Sequence, residues 1–248
     1  MKENNLKTIF TYLFICFILC NCTTFTGEPI EKTFELPSTY TELQVEDAID
    51  VIISNEQDQI SVITTEKIIN DIIIDNIDNK LHIYVKKKFH INTPNIEVIL
   101  PYNSNLQKIK LSGAAEFKSI LTLKNKEIDI DLSGASDLKC DIEADKIKIK
   151  LSGASDASLS GKTNTLAIEL SGASNITKKI IDNHYSLVCN QCECNLSGAS
   201  DAYIHCNDNI NIINLSGASN LHYTGNAKIT LNDGNSIAGS SNISHDTL

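Results

Sequence analysis

The chain has 248 residues, 42% of them hydrophobic, and a formal net charge of -10 in which every basic residue is a lysine. That apolar content supports a buried core and excludes a disordered polar chain. The acidic balance excludes a phosphate-binding surface, so nucleic acid is not an expected partner. β-Branched residues alternate with small polar ones along most of the sequence, which is the texture of strands.

The N-terminus, "MKENNLKTIFTYLFICFILCNC", sets Lys2 and Lys7 ahead of an apolar run from Ile9 to Cys20. This run is shorter than the roughly 20 residues of a membrane-spanning helix and has the form of a signal peptide. Its end, "LCNC", resembles a bacterial lipobox: Leu19 stands three positions ahead of Cys22, the expected site of lipid attachment, although Asn21 departs from the usual small residue. Residues 1–22 therefore read as an export signal, residues 23–34 as a tether, and the membrane as a partner reached through lipid on Cys22. Plain secretion is the alternative.

Residues 35–104 form an N-terminal β region. "YTELQVEDAIDVIIS", "QISVITTE", "KLHIYVKKK" and "NIEVILP" read as strands separated by polar turns. This block is expected to continue, with irregular turns, into the repeats of residues 105–248.

Those repeats carry the phrase L-S-G-A, which opens at Leu111, Leu132, Leu151, Leu170, Leu196 and Leu215, at intervals of 21, 19, 19, 26 and 19 residues. A recurrence near 20 residues signals a stacked-repeat architecture. Two positions before each Leu stand Ile109, Ile130, Ile149, Ile168, Cys194 and Ile213; six positions after it stand Phe117, Leu138, Ala157, Ile176, Ala202 and Leu221. Both columns are apolar, and the period-two alternation around them places them on strands. About 20 residues suffice for one β coil, paired in parallel with its neighbours at roughly 4.8 Å. The repeated Gly would then form a corner, and the stacked Ser hydroxyls could pass hydrogen bonds along the coil axis. All four prolines, Pro29, Pro37, Pro94 and Pro101, precede the first repeat, as ladder-paired strands require. "LNDGNSIAGSSNI" reads as a decayed terminal repeat.

An exported N-terminus, "AIDVIIS", "LHIYV", "VILP" and then repeated L-S-G-A-S-D/N together resemble the putative auto-transporter adhesin head GIN domain family of bacterial exported lipoproteins. The resemblance covers about residues 35–245. It implies an all-β, right-handed, single-stranded parallel β-helix of about 19–21 residues per coil, held at the cell envelope, with the outer membrane of a Gram-negative bacterium as its setting. Right-handed parallel crossovers agree with that hand. The family's repeats supply no catalytic residue to carry over.

Three features are candidates for chemistry. Five positions after each repeat Leu stand Glu116, Asp137, Asp156, Asn175, Asp201 and Asn220. Stacked carboxylates repel, by about 0.9 kcal/mol in water and several times that at lower dielectric. Asp137, Asp156, Asn175, Asp201 and Asn220 therefore form a candidate ladder for ligand or cation. Ca²⁺ would be the cation, although the glycine-rich calcium nonapeptide is missing and Asp or Asn suits a turn for local reasons. No other cofactor is expected.

The cluster "CNQCEC" (Cys189, Cys192, Cys194), with Cys140 and Cys206, reads first as core filling, because these residues fall in apolar columns. A disulfide between coils and a metal site are the alternatives. The 26-residue interval holds "KKIIDNHYS", an insertion whose tip residues His184 and Tyr185 could contact a ligand. A tolerated surface bulge is the plainer alternative.

No catalytic residue is expected. The chain lacks Arg, and most coils have no spare residues with which to build a groove. The function read from the sequence is a non-catalytic, adhesin-like binding or display module that contacts glycan or protein at the cell surface. A polysaccharide-active β-helix enzyme and a purely structural spacer are the alternatives.

Overall fold

The computed structural model describes residues 28–37, 39–86, 94–232 and 236–247. Cys22 and the candidate signal lie outside them. The described residues are all-β, with no helix. The first seven strands are β1 (Pro29–Phe34), β2 (Glu42–Val45), β3 (Ile49–Ser54), β4 (Ile60–Thr65), β5 (Ile72–Ile77), β6 (Lys80–Val85) and β7 (Ile96–Pro101). Five more precede the insertion: β8 (Lys108–Leu111), β9 (Glu116–Ser119), β10 (Leu123–Leu132), β11 (Asp137–Leu151) and β12 (Asp156–Leu170). The remainder are β13 (Asn175–Ile176), β14 (Ile180–Ile181), β15 (His184–Tyr185), β16 (Leu187–Leu196), β17 (Asp201–Leu215), β18 (Asn220–Thr224), β19 (Lys228–Leu231) and β20 (Asn242–His245).

From β8 onward every pairing between successive repeats is parallel. Ile109 faces Ile130, Ile130 faces Ile149, and Ile149 faces Ile168. Each of these side chains is at most 1% exposed, because the register returns the same apolar column to the same inward position. The second expected column, Phe117, Leu138, Ala157, Ile176, Ala202 and Leu221, is likewise buried. One expected core residue is not: Ile213 is 40% exposed. The register between β16 and β17 shifts, so that Cys194 faces Ile212 and Asn195 faces Asn214, and Ile212 takes the inward place. The extra residue of a bulge turned the neighbouring side chain outward.

The repeated phrase is a corner. Gly113, Gly134, Gly153, Gly172, Gly198 and Gly217 all adopt φ between 79° and 82°. A Cβ on Gly153 would lie 2.5 Å from the carbonyl oxygen of Gly134. The close approach arises because Ala154 N–H donates to that oxygen at 2.7 Å, and the equivalent Ala of the repeats at 135, 173, 199 and 218 does the same to the corner before it. The two serines of the phrase act differently: Ser152 Oγ donates along the coil axis to Leu132 O of the preceding layer at 3.3 Å, as Ser133, Ser171 and Ser197 do in theirs. Ser155 Oγ donates within its own turn to Ser152 O at 2.9 Å, which satisfies a fully buried hydroxyl. Backbone amides carry the main bonds between corners.

The stack is longer than the six phrases. Ala114 N–H donates to Asp47 O, and Asp47 has φ of 66°, so "VEDA" at residues 45–48 is an earlier corner with Asp in place of Gly. Val85 N–H donates to Asp47 Oδ2 at 3.1 Å, a bond that glycine could not accept. At the other end Ser240 N–H donates to Gly217 O, and Gly239 takes the corner place in the decayed repeat.

Residues 35–104 combine two pairing modes. β2 pairs in parallel with β8 and β3 with β9, continuing the layers of the repeats. β4 runs antiparallel to β7, and β5 and β6 form an antiparallel hairpin, so this end of the sheet departs from the parallel pattern. β1, within the stretch expected as a tether, pairs antiparallel with β4 from Pro29 to Phe34. Alternating Ile30 and Phe34 pack on the core there, which a free tether would not allow.

Gly153→Ala is expected to destabilise the protein by about 3 kcal/mol or more, since it combines a positive φ with a backbone clash. Urea unfolding monitored by circular dichroism measures this. Ala154→Ser, which keeps the amide donor, should cost far less.

Candidate functional site

The acidic column is a continuous row on the outer face, directly after the corner. Asp50 faces Glu116, Glu116 faces Asp137, Asp137 faces Asp156, and Asp156 faces Asn175. Asn175 faces Asp201, Asp201 faces Asn220, and Asn220 faces Asn242. On the other side of Asp50 lies Glu97. Parallel pairing at about 4.8 Å per layer thus sets a row roughly 38 Å long. The five expected ladder residues are all in it. Asp50 and Glu97 were missed because neither follows an L-S-G-A phrase; the D of "AIDV", three positions after the corner residue Asp47, was the available signal.

The two halves differ chemically. In the later half amides separate the carboxylates: Asn175 Nδ2 donates to Asp156 Oδ1 at 2.8 Å, and Asn220 Nδ2 donates to Asp201 Oδ1 at 2.7 Å. In the earlier half Glu97, Asp50, Glu116, Asp137 and Asp156 are five consecutive carboxylates. Lys118 Nζ, 2.7 Å from Glu116 Oε1, supplies positive charge beside them. Glu97 is 7% exposed, and its Oε1 has no hydrogen-bond partner among the described residues. Burial, and then the charge of Glu116, raises the Asp50 pKa from 3.8 to about 6, against the opposing pull of Lys118 and a hydrogen bond from Asn95. Burial and the Asp50 charge push Glu97 up, and burial with Asp156 and Glu116 pushes Asp137 up.

A neighbouring column shows what stability alone selects. Lys110, Asp131, Lys150 and Glu169 face one another in successive layers with alternating sign. Like charges directly opposite each other are destabilising, opposite ones favourable. The chain therefore alternates the sign of charge along one column and stacks like charges along the next. Among the described residues no group of three or more His, Cys, Asp or Glu converges in a way that could hold a metal ion.

A second polar surface lies at another corner of the layers, a groove of about 530 Å³ lined by Asn164, Asn190, Asn207, Lys162 and Glu143 among others. Asn207 Nδ2 donates to Asn190 Oδ1 at 3.1 Å, and Asn190 Nδ2 to Asn164 Oδ1 at 3.0 Å. This amide ladder presents both donors and acceptors along the groove.

The insertion is a hairpin. β14 and β15 pair through Ile180 with Tyr185 and Ile181 with His184, and Asp182 and Asn183 both take positive φ at the turn. The turn puts Asp182 and Asn183 at the tip, with Ile180 and Ile181 exposed beside them. His184 and Tyr185 are not tip residues. Tyr185 is fully buried: its hydroxyl donates to Asp246, its amide donates to Thr224 Oγ1, and its ring meets Tyr203 edge-on at 5.3 Å. His184 lies against the ring of His205, with 4.7 Å between centroids. Tyr203 stacks on His222 at 4.5 Å, and His222 Nδ1 lies 3.3 Å from Asp246 Oδ2. The expected contact residues therefore pin the hairpin onto the terminal layers. Burial alone would raise the Asp246 pKa, but hydrogen bonds from Ser244, Tyr185 and His222, with the His222 charge, hold it below the ordinary carboxylate value.

Cys140, Cys189, Cys192, Cys194 and Cys206 are all buried, free thiols. Cys192 continues the column of Ile128, Ile147 and Leu166, as core filling requires.

Fold and site together define a repeat-built, all-β protein whose outer face carries a long polar row. The chain belongs to the family described as putative auto-transporter adhesin, head GIN domain, whose model matches residues 39–227. Solved structures share the fold. One from Bacteroides fragilis, described as a putative adhesin, has a TM-score of 0.70 at 18% identity and covers 88% of this chain and 97% of its own. A putative adhesin from Parabacteroides distasonis has a TM-score of 0.66 at 20% identity, covering 88% of this chain and 97% of its own. One from Parabacteroides merdae has a TM-score of 0.63 at 17% identity, covering 90% of this chain and 98% of its own. A comparison with curated proteins gives no match.

A raised pKa in the folded state means that the stability linked to Asp50 is fully present below its unfolded value of 3.8 and is lost as pH rises through about 6. Asp50→Asn should remove that loss. Unfolding curves are expected to show the variant more stable by on the order of 1 kcal/mol at pH 7.5, after allowance for solvent screening, and nearly equal to the parent at pH 4. Asp246→Ala should free the hairpin, so that trypsin cuts after Lys178 or Lys179 about tenfold faster at neutral pH, read by mass spectrometry.

Proposed function

We propose that the chain is an exported, adhesin-like binding module that presents its acid and amide row to a hydroxyl-rich glycan or to a protein at the cell surface, without catalysing a reaction. The observation that carries this reading is the earlier half of the row, where five carboxylates stack in succession and, among the described residues, Glu116 alone has an ion pair, with Lys118, although the adjacent column alternates its charges. A feature that opposes stability and faces outward is where a function is to be sought. Amides and carboxylates spaced by successive layers suit the repeated hydroxyls of an extended glycan, and family membership supports the same class.

The architecture fitting this role is a right-handed, single-stranded parallel β-helix of about 19–21 residues per coil. In-register pairing of successive repeats supports it. One rigid wall holds every rung in place, so no ordering cost falls on the ligand contacts. Export through residues 1–22 and lipid on Cys22 would hold the module on the envelope, with the outer membrane as its setting. Ca²⁺ bridging neighbouring carboxylates of the row is a further part of this reading, supported by the raised pKa of Asp50 and the unpartnered oxygen of Glu97.

A glycan array probed with the protein, with and without Ca²⁺ and followed by mass spectrometry of the bound glycans, tests the proposal. Expected is reproducible binding to intact glycans that falls at least tenfold when Asp137 and Asp156 are both changed to Asn. Shortened glycans would overturn the non-catalytic reading. Binding unaffected by the double change would take the row out of the site.

A further inference from the structure

Five cysteines among the described residues allow many pairings, and the layers select one. Cys189 of β16 and Cys206 of β17 are Cα partners in adjacent parallel strands, and both side chains are fully buried. The other cysteines ladder against different residues: Cys140 faces Leu159, Cys192 faces Leu166 and Ile210, and Cys194 faces Ile168 and Ile212. A parallel pair at about 4.8 Å falls inside the Cα separation of roughly 4.4–6.8 Å that a disulfide requires, and side chains on one face of adjacent rungs bring Sγ to Sγ. Cys206 Sγ donates to the carbonyl of Asn190, the residue after Cys189, at 3.3 Å, so this thiol reaches across to the β16 strand. Immediately after the pair the register shifts, with Gln191 facing Asn209, so the backbone there has slack to adjust.

We infer that Cys189 and Cys206 are a disulfide-forming pair that clamps the layer following the hairpin insertion to the next one. This rests on the proposed export, because disulfides persist in oxidising compartments. The site is mechanically apt. The hairpin interrupts the outer segment that precedes β16, and β13 is only the two residues Asn175–Ile176, so fewer residues pair between this layer and β12 than between β11 and β12.

The step is thiol–disulfide exchange with a disulfide donor, whether a protein oxidant or a small-molecule disulfide. One cysteine thiolate attacks the donor sulfur and forms a mixed disulfide. The second thiolate displaces the donor thiol, so the Cys189–Cys206 bond forms, two protons leave, and the donor gains two electrons as its disulfide becomes two thiols. Hydrogen bonding between the thiols and burial raise the pKa of Cys206 well above the ordinary value, so the exchange belongs to folding, before the layer closes. Cys192, next to Cys189, stays reduced.

The test is alkylation of the full chain under denaturing, non-reducing conditions, followed by peptide mapping, on two samples: protein from the envelope fraction of an expressing Gram-negative cell, and protein refolded with oxidised and reduced glutathione. Expected in both is a peptide pair linked through Cys189 and Cys206, with Cys140, Cys192 and Cys194 alkylated. Reduction should lower Tm by several degrees. Cys206→Ala should abolish the link, and Cys192→Ala should leave it intact. Envelope protein with Cys189 and Cys206 both alkylated overturns the inference while leaving export and binding standing. A link through Cys192 also overturns it. Protein found only in the cytoplasm refutes export, and the glutathione sample then decides the pair alone: linked, the pairing stands; Cys189 and Cys206 both alkylated, it falls.

Discussion

The structure depends on one short hydrogen bond, from the alanine amide of each corner to the glycine carbonyl of the corner before it, 2.7 Å long in each of the five L-S-G-A corners that stack on another. To make that bond the two backbones must approach closely enough that a Cβ on the glycine has no room, and the chain must turn through a positive φ. Both demands fall on the same residue. The phrase L-S-G-A is therefore the sequence form of a single geometric requirement, and the apolar columns on either side stack because that corner fixes the register. A one-residue slip would send each column to the outer face, as the bulge did locally for Ile213.

With register fixed, residues on the outer face stack as reliably as those in the core. That has opposite consequences in adjacent columns. Lys110, Asp131, Lys150 and Glu169 alternate in charge, and the stacking gives them favourable partners. In the row from Glu97 to Asp156 the same geometry brings like charges together, and burial, with the charge of Glu116 added, raises the pKa of Asp50, while Glu97 is left with an oxygen that has no hydrogen-bond partner among the described residues. Where the row continues past Asp156, Asn175 and Asn220 relieve this crowding by donating to neighbouring carboxylates. The fold thus supplies both the address of the row and its electrostatic tension. It also explains why the amide ladder of Asn164, Asn190 and Asn207 lies along a second corner, where the same stacking aligns side chains that can bond to one another.

The hairpin illustrates a different principle. An insertion in a regular stack has no neighbour of its own kind, so it must find side-chain partners or remain loose. Here Tyr185 enters between Tyr203, Thr224 and Asp246, and the terminal strand β20 is tied in through the same Asp246 and its contact with His222. Irregular elements at the end of the stack secure each other with polar and aromatic contacts, while the regular layers rely on backbone ladders and aliphatic columns.

The all-β class, the repeat length, the two core columns and six rungs of the outer row were legible in the sequence, because a short periodic phrase and period-two alternation are local signals. The corner at Asp47 was hidden by its side chain, since aspartate reaches positive φ with help from Val85, a residue distant in sequence. Glu97 joins the row only through strand pairing across the N-terminal region, and β1 becomes part of the sheet by antiparallel pairing that no nearby residue announces. The orientation of Tyr185 was likewise undecidable locally, because its burial depends on Asp246, 61 positions away. By itself the sequence determined the material of each layer and the corner that repeats it. Only the tertiary structure decided which layers meet, and hence which charges face each other, which of five cysteines stand in register, and which side of the insertion meets solvent, since each of these is set by contacts between segments far apart in the chain.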